Sequence, residues 1–159
     1  MPQRFGEKLR FLRRHRQLTQ TDLAQQLSLV GQAHIANVES NRRGSSLQFV
    51  ILIASFFHVT TDYLLRDEIL IENAAAHTST WITTQTELPD QFGAKLRYLR
   101  TRDDLTQVEL AQRLGLSAHA HISFLENGQH EPSVDLVLQV SKIFGVTTDY
   151  LLWDSISVE

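Results

Sequence analysis

The sequence of 159 residues contains no cysteine. That excludes a disulfide scaffold, thiolate zinc sites and cysteine nucleophiles, and it suits a reducing cytoplasm, where the protein is expected to reside. Long apolar runs are also missing. The longest, around Phe49 to Phe57, is interrupted by Ser55 and falls far short of the roughly 20 residues that a membrane span requires. Residues Met1 to Glu7 hold no apolar stretch of the secretory kind. There is no Gly-rich phosphate loop, no His-Glu-x-x-His and no Gly-x-Ser-x-Gly, so no residues stand ready to carry enzymatic chemistry, and no cofactor is expected. Among the seven histidines, His119 and His121 are two apart and do not share a helix face, so no metal site is expected there. Apolar residues at 42% and charged residues at 21% are ordinary globular values and exclude bulk disorder.

An internal repeat organises the chain. Phe5-Gly6-Glu7-Lys8-Leu9-Arg10-Phe11-Leu12-Arg13 returns as Phe92-Gly93-Ala94-Lys95-Leu96-Arg97-Tyr98-Leu99-Arg100. Leu18-Thr19-Gln20 returns as Leu105-Thr106-Gln107, and Val59-Thr60-Thr61-Asp62-Tyr63-Leu64-Leu65 as Val146-Thr147-Thr148-Asp149-Tyr150-Leu151-Leu152. The offset is 87 throughout, without a gap, and 30 of 63 aligned positions are identical. Each copy is about 65 residues, near the lower limit for independent folding. With only two copies, separated by an unrelated stretch, the pattern implies tandem domains rather than a solenoid. The expected boundaries are residues 1–68, a linker over 69–90, a second domain over 91–154 and a tail over 155–159. The linker opens as a helical continuation near Glu68 to Ala76 and turns β-branched from Thr78 to Thr86, without the Gly/Ser bias of a flexible tether. Its apolar residues, Trp81 included, either pack on a neighbouring domain or form a dimer surface.

Within one copy the periodicity is helical. Phe5, Leu9 and Leu12 mark one face of a first helix. Thr19 with Asp22, and Thr106 with Glu109, have the spacing of a capping box, which starts a second helix near Gln20 and near Gln107. A short turn leads to a third helix carrying Ile35 and Val38, or Ile122 and Leu125, to the core. Ser46 and Ser133 are N-cap candidates for a fourth helix running to Phe57 or Phe144, and Thr60 and Thr147 for a short fifth. Tyr63 and Tyr150 are expected in the core. The expected fold is all-α, two five-helix domains joined by a linker.

These blocks, in this order and twice, resemble the phage-repressor-like (Xre) helix-turn-helix family. The carriers are Leu-Arg-x-Leu-Arg, Leu-Thr-Gln-x-[Asp/Glu]-Leu-Ala-Gln, His-Ile, the Leu-Glu-Asn-Gly-Gln of the second copy and Phe-x-Val-Thr-Thr-Asp-Tyr-Leu-Leu. The resemblance implies a sequence-specific DNA-binding transcriptional regulator, a repressor, with double-stranded DNA as partner and the third helix in the major groove. It places Gln20 and Gln107 at a DNA phosphate and Gln32, His34 and Asn37 on the base-reading face. It sets Asn41, Arg42 and Arg43 at the DNA backbone, and it implies DNA contacts for His119, His121, Ser123 and Asn127 in the second copy. Arg13 with Glu39, and Arg100 with Glu126, match a structural ion pair. The turn before the third helix is one residue longer than the family's in both copies: four residues separate Val30 from Ile35 and Ser117 from Ile122.

The copies are not equivalent. Residues 1–68 carry nine Lys/Arg against six Asp/Glu, net +3, whereas residues 69–159 carry six against twelve, net -6. Phosphate attraction dominates non-specific affinity, so the first copy is expected to be the better DNA binder. Asn37 is replaced by Phe124, an apolar side chain expected at a protein contact, and Arg66 by Trp153, which faces either an interface or a packed tail. Two arrangements follow: a homodimer assembled through the second copy, or an intrachain pseudo-dimer with two readers. A rival of another class is a protein-interaction module, such as an antitoxin or adaptor, that docks a protein partner through a helix-turn-helix surface.

Overall fold

The computed structural model describes residues 2–42, 44–79, 88–117 and 120–158. The chain divides into two compact units, Met1–Glu87 and Leu88–Glu159. The first holds α1 (Phe5–His15), α2 (Gln20–Gln26), α3 (Ala33–Glu39), α4 (Leu47–Phe57) and α5 (Thr61–Leu65), followed by a 3-10 helix over Ile71–His77. The second repeats the pattern as α6 (Phe92–Arg102), α7 (Gln107–Arg113), α8 (Ala120–Glu126), α9 (Val134–Phe144) and α10 (Thr148–Leu152). Every α-helix of the second unit begins 87 residues after its counterpart. Among the described residues no helix is long and apolar enough to cross a membrane.

Local chemistry sets the helix ends. Thr19 and Thr106 each accept a hydrogen bond from the backbone N–H three residues on, while Asp22 and Glu109 accept from the cap residue's own N–H, which completes both capping boxes. Ser46, Ser133, Thr60 and Thr147 cap α4, α9, α5 and α10 in the same one-sided way. The α1 and α6 starts lack a local side-chain cap. There Asp67 accepts from the N–H groups of Gln3 and Arg4 at 2.8 and 2.9 Å, and Asp154 accepts from those of Asp90 and Gln91 at 3.1 and 3.0 Å. The two ends of each unit are thereby tied together.

Leu9, Leu23, Ile35, Ile53 and Leu64, and in the second unit Leu96, Leu110, Ile122, Val140 and Leu151, form fully buried cores. Gly6 and Gly93 let the first helix of each unit approach the end of the third. A Cβ on Gly6 would lie 2.2 Å from the Val38 carbonyl oxygen, and one on Gly93 2.5 Å from that of Leu125. Lys8 and Lys95 are fully buried. Lys8 Nζ donates to the carbonyls of Tyr63 and Arg66, each at 2.6 Å, and Lys95 Nζ to that of Trp153 at 2.7 Å. Each ammonium thus satisfies carbonyls at the end of α5 or α10, which have no partner within so short a helix. Tyr63 is buried, and Tyr150 is half-buried.

The stretch after Glu68 is built into the first unit. The Tyr63 hydroxyl donates to the Ile71 carbonyl at 2.7 Å, Thr60 N–H to the His77 carbonyl at 2.9 Å and Ser79 N–H to the His58 carbonyl at 3.0 Å. Tyr150 makes the matching bond to Val158. Trp153 corrects an expectation. It is 0% exposed, and its indole N–H donates to Asp149 at 2.9 Å, so its ring belongs to the interior and presents no interface. Trp81 lies outside the described residues.

Candidate nucleic-acid interface

The pair α2–α3, repeated as α7–α8, is held from below by a buried charge cluster. Arg13 grips Glu39 with two hydrogen bonds, Nε to Oε1 at 2.6 Å and Nη2 to Oε2 at 2.9 Å, and spends Nη1 on the Leu18 carbonyl at 2.7 Å. Glu39 and Arg13 are 3% and 8% exposed. Arg100 repeats the two-pronged grip on Glu126 and donates to the Leu105 carbonyl at 2.9 Å. Burial pushes both carboxyls up, but the hydrogen bonds and charge of Arg13 and Arg100, with help from Gln20 and Gln107, outweigh it and hold them below the usual range. One cluster therefore fixes the first helix, the start of the second and the end of the third as a single rigid element.

That geometry revises the part assigned to Gln20 and Gln107. Their side-chain amides donate to Glu39 and Glu126, each at 2.9 Å. One amide proton of each is committed to the interior, which makes the pair structural first. Arg10 and Arg97 were missed in the sequence: Arg10 donates to the Glu39 carbonyl at 2.9 Å and lies 3.5 Å from its carboxylate, and Arg97 lies 3.4 Å from that of Glu126. Arginine three positions before Arg13 and before Arg100 was the available signal, because that spacing shares a helix face.

On the outward side of α3, Gln32 is the exposed N-cap residue and accepts from the Thr21 hydroxyl at 2.7 Å, which bridges the two helices. His34 is half-buried with its ring edge-to-face on Phe49, centroids 4.6 Å apart, so it packs against α4 rather than projecting outward. Asn37 is half-buried in the middle of the helix. Asn41 sits beyond the helix end at φ 53° and donates from its amide to the Gln3 carbonyl at 2.8 Å. That bond ties it back to the N-terminus and turns the expected backbone contact into a structural one. Arg42 is exposed. Arg43 lies outside the described residues.

The face of α8 is chemically different. Phe124, in the place of Asn37, is 40% exposed. His130 lies against it, ring centroids 4.7 Å apart, and pairs with His121 through their Nδ1 atoms at 3.2 Å. Ser123 accepts from Asn127 at 3.4 Å, and Asn127 accepts from Arg97 at 2.7 Å, so these two are engaged along the surface of their own unit. His119 lies outside the described residues. Half-buried Asn37 on α3 and exposed Arg42 just past its end are neighbours along the backbone, the Arg42 N–H donating to the Asn37 carbonyl at 3.0 Å, and an aromatic cluster stands at the corresponding place in the second unit.

Comparison with known proteins agrees with this architecture. The helix-turn-helix family model HTH_3 matches residues 9–64 and again residues 96–151. An uncharacterised HTH-type transcriptional regulator of Methanocaldococcus jannaschii is 42% identical over 52 residues, 33% of this chain and 77% of its own length. The HTH-type transcriptional activator BcrR of Enterococcus faecalis is 44% identical over 62 residues, 39% of this chain and 30% of that protein. The cryptic phage CTXphi transcriptional repressor RstR of Vibrio cholerae is 33% identical over 64 residues, 40% of this chain and 57% of RstR. No solved structure matches the chain significantly. With two matched domains that together span more than half of its length, the chain belongs to the Xre-type helix-turn-helix family of DNA-binding transcriptional regulators, as two domains in tandem.

Proposed function

We propose that the chain is a sequence-specific repressor that reads the major groove mainly through α3 of its first unit. The observation that carries this reading is the placement of Asn37 on α3 and of the exposed Arg42 just past its end, whose N–H donates to the Asn37 carbonyl at 3.0 Å, in a segment of net charge +3. An asparagine amide matches the N6/N7 edge of adenine, and an arginine just past the helix reaches the phosphate backbone. The named relatives divide on the sign, RstR being a repressor and BcrR an activator, so the repressing sign rests on the resemblance to the phage-repressor-like family. In this reading residues 1–68 and 91–154 are the DNA-binding-type domains, the first of them extended by the Ile71–Ser79 stretch of the expected 69–90 connector, and the protein works in the cytoplasm beside its DNA.

The test is selection of bound duplexes with salt titration. Asn37→Ala relaxes preference at one base position by about 1–3 kcal/mol, whereas Arg42→Ala weakens all sequences alike and flattens the salt slope by about one unit. An unchanged consensus for Asn37→Ala overturns the assigned face. The second unit favours a different use. Its acidic balance and the exposed Phe124 support an assembly surface, through which a homodimer presents two first-unit readers to half-sites one helical turn apart.

A further inference from the structure

We infer that His121 and His130 form a two-imidazole chelate for a borderline divalent cation, zinc above all, beside Phe124 at α8, where it tunes the charge of the second unit's proposed assembly surface and, through assembly, the affinity for DNA. The two side chains come from different places: His121 from the first turn of α8, His130 from the segment after it. Their Nδ1 atoms are 3.2 Å apart. Two nitrogens bound to one tetrahedral zinc at 2.0–2.1 Å are separated by about 3.3 Å, so the pair already stands at chelating distance and needs only a turn of the rings to aim both lone pairs at one cation. Imidazole nitrogen suits zinc, copper and nickel and not magnesium or calcium. In a hydrogen bond between two Nδ1 atoms one ring donates and the other accepts; when the cation takes the proton's place, the donor ring carries its proton on Nε2 instead, exchanged through water, and both Nδ1 lone pairs bind the metal. Among the described residues no three His, Asp or Glu side chains gather, so these two imidazoles are the proposed ligands from the described residues. Phe124, 4.7 Å from the His130 ring, walls one side and holds that ring in place.

The position gives the site a consequence. His130 stands where the first copy has Arg43, and Gln129 where it has Arg42. The second copy has lost both cations at the place where the first is proposed to meet phosphate. A dication held by two neutral imidazoles, each keeping its proton on Nε2, adds positive charge there. The coupling to DNA rests on the function proposed above; the chelate does not.

Zinc binding to the full chain is measured by competition with a chromophoric chelator, with magnesium as control, for wild type, His121→Ala, His130→Ala and His34→Ala. Wild type and His34→Ala are expected to bind one zinc with the same affinity. His121→Ala and His130→Ala lose at least about tenfold, because one ligand cannot chelate. Both substituted side chains lie at the surface of α8, and far-ultraviolet circular dichroism verifies that the variants remain folded. Equal zinc affinity in all four proteins overturns the site. Duplex retardation with and without zinc then reads the coupling: several-fold tighter binding that disappears in His130→Ala supports it, and zinc-independent affinity in a chain that binds zinc overturns it. Failure of the function itself is distinct, since a chain that reads no DNA gives no retarded band with zinc or without.

Discussion

Removing Arg13 strips the Glu39 carboxylate of its two shortest hydrogen bonds and leaves the Leu18 carbonyl without its guanidinium donor. The side chains of Arg13 and Glu39 are 10% and 1% exposed, so water cannot take over at the carboxylate. Breaking one side of a buried pair costs about 3–5 kcal/mol. Gln20 at 2.9 Å and Arg10 at 3.5 Å remain beside Glu39, which places Arg13→Ala at the lower end. At about 4–8 °C per kcal/mol for a domain of this size, the first unit's melting midpoint drops by about 12 °C or more. Trp153, buried in the second unit, provides an internal control. In a Trp81→Phe background its fluorescence follows the second unit alone, and circular dichroism follows both. Arg13→Ala is expected to move only the transition that Trp153 does not report, and Arg100→Ala the one that it does. The double variant Arg13→Met, Glu39→Leu melts above Arg13→Ala, because no charge is then stranded. The pH dependence has a defined sign. Glu39 titrates lower in the folded unit than in the unfolded chain, so its contribution is full above the ordinary carboxylate range and is lost as pH falls through the folded value. Arg13→Ala flattens that acid limb. A first-unit midpoint within a degree or two of wild type refutes the reasoning.

Burial, partly offset by the charge of Asp67, lowers Lys8 from 10.5 to about 8, so between pH 8 and 10 the unfolded chain holds that proton more tightly and stability rises with pH. At 1.36 kcal/mol per unit the gain reaches about 2–3 kcal/mol. Denaturant melts across that range are expected to show it as the difference between wild type and Lys8→Met, and parallel pH profiles refute it. Gly6→Ala adds a methyl 2.2 Å from a backbone oxygen, a clash worth roughly 1–3 kcal/mol that outweighs any gain in helix propensity; a thermal melt equal to or above wild type refutes the close approach. Phe124→Ser lowers the mass found by sedimentation if the second unit assembles the dimer, and a monomeric wild type that protects two half-sites supports the pseudo-dimer in its place.

The sequence by itself determined whatever depends on neighbours along the chain. Capping boxes act between residues three apart, so Thr19 with Asp22 and Thr106 with Glu109 were legible directly, as were the caps at Ser46, Ser133, Thr60 and Thr147. The offset of 87 and the charge split needed no coordinates. The pairing of Arg13 with Glu39 came from family likeness, since nothing in local spacing joins residues 26 apart. Tertiary structure alone decided which polar groups meet across the core. Asp67 caps a helix that starts more than sixty residues earlier. Lys8 and Lys95, of which the sequence pattern said nothing, lie buried on carbonyls at the ends of α5 and α10. Gln20 and Asn41, expected at the DNA backbone, and His34, expected on the base-reading face, bond or pack to Glu39, the Gln3 carbonyl and Phe49. Trp153 faces the interior, and His130 reaches His121 across nine residues. Long polar side chains choose among several partners within reach, and only the packed fold fixes which donor finds which acceptor. That choice leaves Arg42 exposed just past α3, beside half-buried Asn37, and puts an aromatic cluster at the corresponding end of α8.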